Sequence, residues 1–261
     1  MSLLLEISHC PIAKLLIEPQ SLDTPCREIV ESQAVETIDD FQLPEPWSGQ
    51  ISSAPVLFLS SNPSISPTEQ YPTWSWSDEM VGDYFENRFV GGKKQWIRDG
   101  RYGLQKDSTY SKAVAFWASV RKRAEELYTR EVVPGVDYAL SEVVHCKSRQ
   151  EIGVRKAASF CSERYLDKIF EISNAVIIVA LGDIAKVAIK AMYNVADDAS
   201  PMLESVIMGG RERAVVFLPH PNARKKRTLR SVLTVSELNK LRFTLDNYVR
   251  NNPVHTGSVL G

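Results

Sequence analysis

Four short stretches of this sequence combine residue types that could do chemistry. Ser61, Asn62, Pro63 and Ser64 form the first. Glu142, His145, Cys146 and Lys147 form the second, Gly182 and Asp183 the third, and His220, Pro221 and Asn222 the fourth. Asn62 cannot titrate, so it could orient a reacting group but not deprotonate it. Behind His220, residues 220–230 carry Arg224, Lys225, Lys226, Arg227 and Arg230 with no acid. Such a local charge suits a phosphate backbone, or equally a solvated loop. The cysteines are Cys10, Cys26, Cys146 and Cys161. Four are too few for a disulfide scaffold, and in a reducing compartment they are thiols or metal ligands.

The elements that must position these residues are readable as βαβ units. Continuous apolar runs at 54–60, 137–144, 175–181 and 214–218 suit strands buried on both faces of a parallel sheet. Helical spacing fills 111–129, 154–172 and 183–192. The expectation is a three-layer α/β/α fold around a central, mainly four-stranded parallel sheet. In such sheets ligands sit beyond the carboxyl ends of the strands, where all four chemical stretches fall. Asn62 and His220 would then face one crevice, with the basic loop behind the histidine.

Residues 1–50 are expected as an N-terminal arm packed on the core, 51–250 as one α/β domain, and 251–261 as a flexible tail. The segment 44–53 reads as the boundary, and 62–110, rich in Trp, Tyr, Gly and Pro, as a long excursion over the active face. The chain has 261 residues, 44% of them hydrophobic and 24% charged, which excludes a disordered chain, a collagen and a coiled coil. No apolar run has the roughly 18–20 residues of a membrane span. The opening MSLLLEISHC lacks a signal-peptide core, so a cytoplasmic, non-membrane protein is expected, as a monomer. The net charge of −1 excludes a global basic field but hides an asymmetry. Residues 1–50 hold nine acids against Lys14 and Arg27, whereas the 220–230 segment is basic.

These stretches resemble the motifs of the uracil-DNA glycosylase superfamily. Leu59-Ser60-Ser61-Asn62-Pro63-Ser64 is similar to its water-positioning motif, and Ser141-Glu142-Val143-Val144-His145-Cys146 to the base-reading motif of its iron–sulfur members. Ala180-Leu181-Gly182 and His220-Pro221-Asn222 match the third and fourth strand ends, and the order covers residues 56–230. The resemblance implies a monofunctional DNA glycosylase that flips a base into a pocket and hydrolyses its N-glycosidic bond. By it, Asn62 orients the attacking water and His220 stabilises charge on the departing base. Ser61 and Glu142 bind the base, and one of Tyr71, Trp74, Trp76 and Phe89 stacks on it, Tyr71 and Trp74 being taken as base-binding. Asn222, Arg224, Lys225 and Arg227 form the DNA-binding wedge and phosphate contacts.

Two departures bear on the substrate. Ser60 stands where the family has glycine, and Glu142 where it has the base-reading asparagine. An ionised carboxylate only accepts hydrogen bonds, so Glu142 would favour the N4 amine of a cytosine-type base over O4 of uracil. Alternatively Glu142 pairs with a nearby Lys or Arg, and the chain performs plain uracil repair. A non-catalytic DNA-binding role is the third reading. The superfamily includes an anti-phage branch that attacks hypermodified viral cytosines, a role that Glu142 and the 62–110 excursion would suit. The resemblance also implies a structural [4Fe–4S] cluster on Cys10, Cys26, Cys146 and Cys161, with zinc or four buried thiols as alternatives.

Overall fold

The computed structural model describes residues 1–17, 23–35, 37–196, 200–221, 223 and 228–252. Its centre is a six-stranded sheet. The strands are β1 (Trp47–Ser48), β2 (Val56–Ser60), β5 (Tyr138–Glu142), β6 (Ile177–Leu181), β7 (Met202–Met208) and β8 (Arg211–Leu218). They lie in the order β1-β5-β2-β6-β8-β7. A separate two-stranded hairpin joins β3 (Ile97–Arg98) to β4 (Tyr102–Gly103). β5, β2, β6 and β8 are mutually parallel neighbours, the four strands expected from the apolar runs. β2, β5 and β6 are buried at every residue, as strands covered on both faces must be.

The sheet has six strands, not four, because each edge carries an antiparallel strand. β1 pairs with β5, so the segment read as a boundary is part of the sheet. Two residues between Pro46 and Gly49 carry too little pattern to announce a strand. β7 pairs with β8 through Gly209-Gly210, whose φ values are 54° and 73°. Positive φ at both central residues is what a tight hairpin of this twist requires, and glycine adopts it without steric cost. β7 buries only Met202 and Met208, as an edge strand does, and polar Glu204 and Ser205 interrupt its apolar residues.

Alternation along the strands feeds two cores. Leu57, Leu59, Ala139, Ile178, Ala180 and Val215 face one core, shared with α6 (Val154–Ile172) and α7 (Asp183–Met192). The small helices α1 (Leu3–Ser8), α2 (Pro11–Ile17) and α3 (Arg27–Glu31), and α4 (Asp78–Glu86), also bury residues there. Val56, Phe58, Leu140, Ile177, Val179 and Val216 face the other core, under α5 (Ala115–Tyr128), α8 (Leu229–Val232) and α9 (Val235–Asn251). The result is helices on both faces of a mostly parallel sheet. α9 starts in a reciprocal cap, Thr234 accepting from the Glu237 amide and Glu237 from the Thr234 amide. Buried Arg213 donates to the carbonyls of Phe170 and Ser173 at 2.6 and 2.9 Å, which satisfies the end of α6. Among the described residues no helix is long and apolar enough to cross a membrane.

Candidate functional site

A cavity of about 610 Å³ opens at the carboxyl ends of the parallel strands. Ser61 and Asn62 follow β2, Glu142 ends β5, and His220 follows β8; all four line this one cavity. Residues 78 or more positions apart in sequence thus meet, as the strand-end argument requires.

Asn62 is held in one orientation. Its Nδ2 donates to Pro63 O at 2.9 Å and to Ser148 Oγ at 3.1 Å. The side-chain oxygen is therefore the atom available to accept from a water. Segment 63–65 is zipped to Ser148: Ser148 N donates to Pro63 O at 3.2 Å and Ile65 N to Ser148 O at 3.4 Å. Ser61 donates from Oγ to Glu151 Oε1 at 3.0 Å, so Ser61 anchors a second carboxylate in the cavity wall.

The two residues that depart from the resembled motifs meet each other. Ser60 and Glu142 are register partners on adjacent strands, and Ser60 Oγ donates to Glu142 Oε2. A serine is placed where it can hold the carboxyl that replaces the asparagine. Glu142 is 4% exposed. Burial, and next the nearby Glu45, push its carboxyl well above the usual carboxylate range. This favours the protonated carboxyl, which offers a donor as well as an acceptor. The same burial disfavours the acceptor-only carboxylate expected from sequence.

Beneath Glu142 lies a buried ionic group. Arg88 bridges Glu45 at 2.8 Å and Glu69 at 2.7 Å, and Lys147 reaches Glu69 at 3.4 Å. Ser48 donates to Glu45 at 2.9 Å, and Tyr71 donates to it at 3.1 Å. Burial alone would raise the Glu69 pKa, but Lys147 and Arg88 hold it below the usual value. Burial lowers that of Lys147 despite Glu69. Glu142 itself makes no ion pair with Lys or Arg among the described residues. The ion-pair alternative for Glu142 is therefore not what the fold builds; Glu45 and Glu69 take the cations instead.

His220 packs against Gly182 and Phe116. A Cβ added to Gly182, at φ 91°, would lie 3.3 Å from His220 Cβ. Phe116 stacks on the His220 ring at 5.9 Å and 23°. Burial lowers the His220 pKa, and Glu151 acts in the opposite direction. Burial thus favours the neutral imidazole.

The aromatics expected to stack on a base are elsewhere. Tyr71 is buried against Tyr84 and Phe85, at 5.2 and 5.9 Å. Trp74 packs on His9 at 5.0 Å, Trp76 on Trp96 at 5.5 Å, and Phe89 near Tyr138 at 6.2 Å. None of the four lines the cavity; Phe116 and Trp117, from the start of α5, do. Tyr71 serves the site indirectly, through its bond to Glu45. Phe116 and Trp117 were legible only as parts of a helical pattern. The 62–110 excursion does wall the cavity, through Ser64, Ser66, Thr68, Glu69, Arg88 and Gln105. Asn222, Arg224, Lys225 and Arg227, the expected DNA contacts, lie outside the described residues.

The four cysteines converge on a separate small chamber of about 20 Å³. Cys10 comes from between α1 and α2, Cys26 from the start of α3, Cys146 from after β5 and Cys161 from α6. All four are free thiols. Burial and then Cys10 push the Cys26 thiol up to about 11. Burial likewise raises Cys146 and Cys161, and Cys10 and Cys26 add to both. His145 lines the same chamber; its Nδ1 is 2.8 Å from Glu45 O, and its Nε2 is buried without a hydrogen-bond partner. In number and kind the thiols fit a four-thiolate group. Among the described residues no set of three or more His, Cys, Asp and Glu is placed to hold a metal ion.

No family model matches the chain, and no curated protein matches it in sequence.

Proposed function

We propose that this protein is a DNA glycosylase of the uracil-DNA glycosylase type, which hydrolyses the N-glycosidic bond of a flipped-out base to leave an abasic site. The observation that carries the reading is the meeting of Asn62, Glu142 and His220 in one cavity at the ends of parallel strands. In it Asn62 Oδ1 accepts from the attacking water, and His220 donates to the base as negative charge develops there. Glu142 reads the base edge, and Phe116 and Trp117 supply the aromatic wall.

The favoured substrate is a cytosine-type base with a polar substituent. A protonated Glu142 can accept from N4 of cytosine and donate to N3. The cavity is in the range of small-molecule pockets, and its hydroxyl- and amide-bearing wall at Ser64, Ser66, Thr68 and Gln105 suits a hydroxylated group. Hypermodified phage DNA is one source of such a base. The protonation of Glu142 also favours a second reading, uracil excision, because the same O–H can donate to O4.

The reading includes a [4Fe–4S] cluster on Cys10, Cys26, Cys146 and Cys161, supported by the convergence of the four thiols. Bound there, the cluster would be structural, tying the N-terminal helices to β5 and α6.

The test is abasic-site formation under single turnover, on duplex and single-stranded oligonucleotides. These carry uracil, cytosine, 5-hydroxymethylcytosine or its glucosylated form. Release of a cytosine derivative fastest is expected. Release of uracil alone would move the second reading to first place. Tight DNA binding with no release of any base would leave a non-catalytic DNA-binding protein.

A further inference from the structure

In the proposed reaction Asn62 positions the water but has no site for its proton, so another group must take it. Four carboxyl groups line it: Glu45, Glu69, Glu142 and Glu151. Glu45 and Glu69 are tied to Arg88, and Glu69 also to Lys147. Glu142 is buried and bonded to Ser60, and burial disfavours its charged form. Glu151 differs from all three. It is exposed at the cavity rim, and its carboxylate makes one hydrogen bond among the described residues, from Ser61 Oγ at 3.0 Å.

We infer that Glu151 is the general base that takes the proton of the attacking water, an inference that rests on the glycosylase reading. Its loop is joined to the Asn62 segment by the Ser148 hydrogen bonds, so both residues sit on neighbouring backbone facing one cavity. The loop also carries backbone strain. Gln150 and Glu151 have φ values of 52° and 60°, two consecutive non-glycine residues in the left-handed region. Such conformations persist where the surroundings enforce them, and they cluster at functional sites. Here they turn Glu151 toward Ser61 and place it in the wall beside His220.

The step balances as a hydrolysis. The C1′–N bond breaks and its electron pair leaves with the base, which takes a proton from solvent. The water oxygen bonds to C1′. The water's proton passes to the Glu151 carboxylate and from there to solvent. Asn62 fixes where the water stands, and Glu151 receives what the water loses.

Glu151→Gln keeps an oxygen for Ser61 but cannot take a proton. On the DNA that the wild type cleaves, its single-turnover rate should fall on the order of 10²-fold or more. DNA affinity and melting temperature should stay at wild-type values, since the side chain is exposed. Glu151→Ala should be equally slow and should recover part of its rate in added formate, a small carboxylate that can occupy the gap. An active wild type with an equally active Glu151→Gln overturns this inference alone. A wild type that releases no base from any oligonucleotide overturns the glycosylase reading, and this inference with it.

Discussion

The hydrogen bond between Ser60 and Glu142 ties two residues that each look anomalous alone. The Ser60 hydroxyl favours the ionised carboxylate, and burial opposes it more strongly. Burial, and next Glu45, raise the folded-state pKa above the unfolded value. Such a group contributes stability that is complete below the unfolded pKa and is lost as pH climbs toward the folded one. Glu142→Gln cannot ionise, so it should flatten the decline of melting temperature as pH rises above the ordinary carboxylate range. Calorimetry across that window checks it, and an unchanged slope would mean that Glu142 is ionised in the fold. Glu142→Asn should lower excision of a cytosine derivative relative to uracil by about tenfold or more, since polar mismatches in dry sites discriminate strongly. Asn62→Ala and His220→Ala should each slow single-turnover excision on the order of 10²–10³-fold with DNA binding retained. Equal rates in wild type and both variants would remove these two residues from the chemistry.

At the scale of elements, the strand ends do the positioning. Gly182 follows β6 at φ 91° and leaves room for His220, which follows β8. Gly182→Ala puts a side chain into a backbone conformation that costs about 1–3 kcal/mol. It also sets a methyl against His220 Cβ. Chemical denaturation should register the lost stability, and excision should slow beyond what the unfolded fraction explains. Wild-type activity per folded molecule would show that His220 has no need of this packing. The edge strand β1 has a similar role on the other side, since it carries Ser48 and follows Glu45, whose carboxyl is bonded to Arg88, Ser48 and Tyr71.

At the scale of the molecule, the N-terminal helices and the sheet share the cysteine chamber. If a cluster ties them, protein purified without oxygen should be brown and absorb near ~400 nm, as thiolate-held clusters do. Cys146→Ser should bleach it and speed hydrogen exchange in residues 3–17, which pack over the chamber. A colourless, iron-free wild type with those amides fully protected would sink the cluster and leave four buried thiols.

The sequence by itself determined the four parallel strands, the limits of α6 and α7, and the candidates that follow the strands. It could do so because a strand buried on both faces must be apolar throughout, and a helix against a sheet must repeat its apolar positions. Those constraints are local and leave a local trace. Gly209-Gly210 also left a trace, and β7 could have been found from it. Only the tertiary structure decided the rest. β1 is two residues held by pairing with β5, so nothing near Trp47 announces it. Glu45, Glu69 and Arg88 lie on segments with no common pattern and become an ionic group only when burial brings them together. The raised pKa of Glu142 follows from burial and the neighbouring Glu45, and neither can be read from the residue's type. The choice of Phe116 and Trp117 over Tyr71 and Trp74 has the same cause. An aromatic residue declares in sequence that it will be covered, and only packing settles whether a protein core or an open cavity covers it.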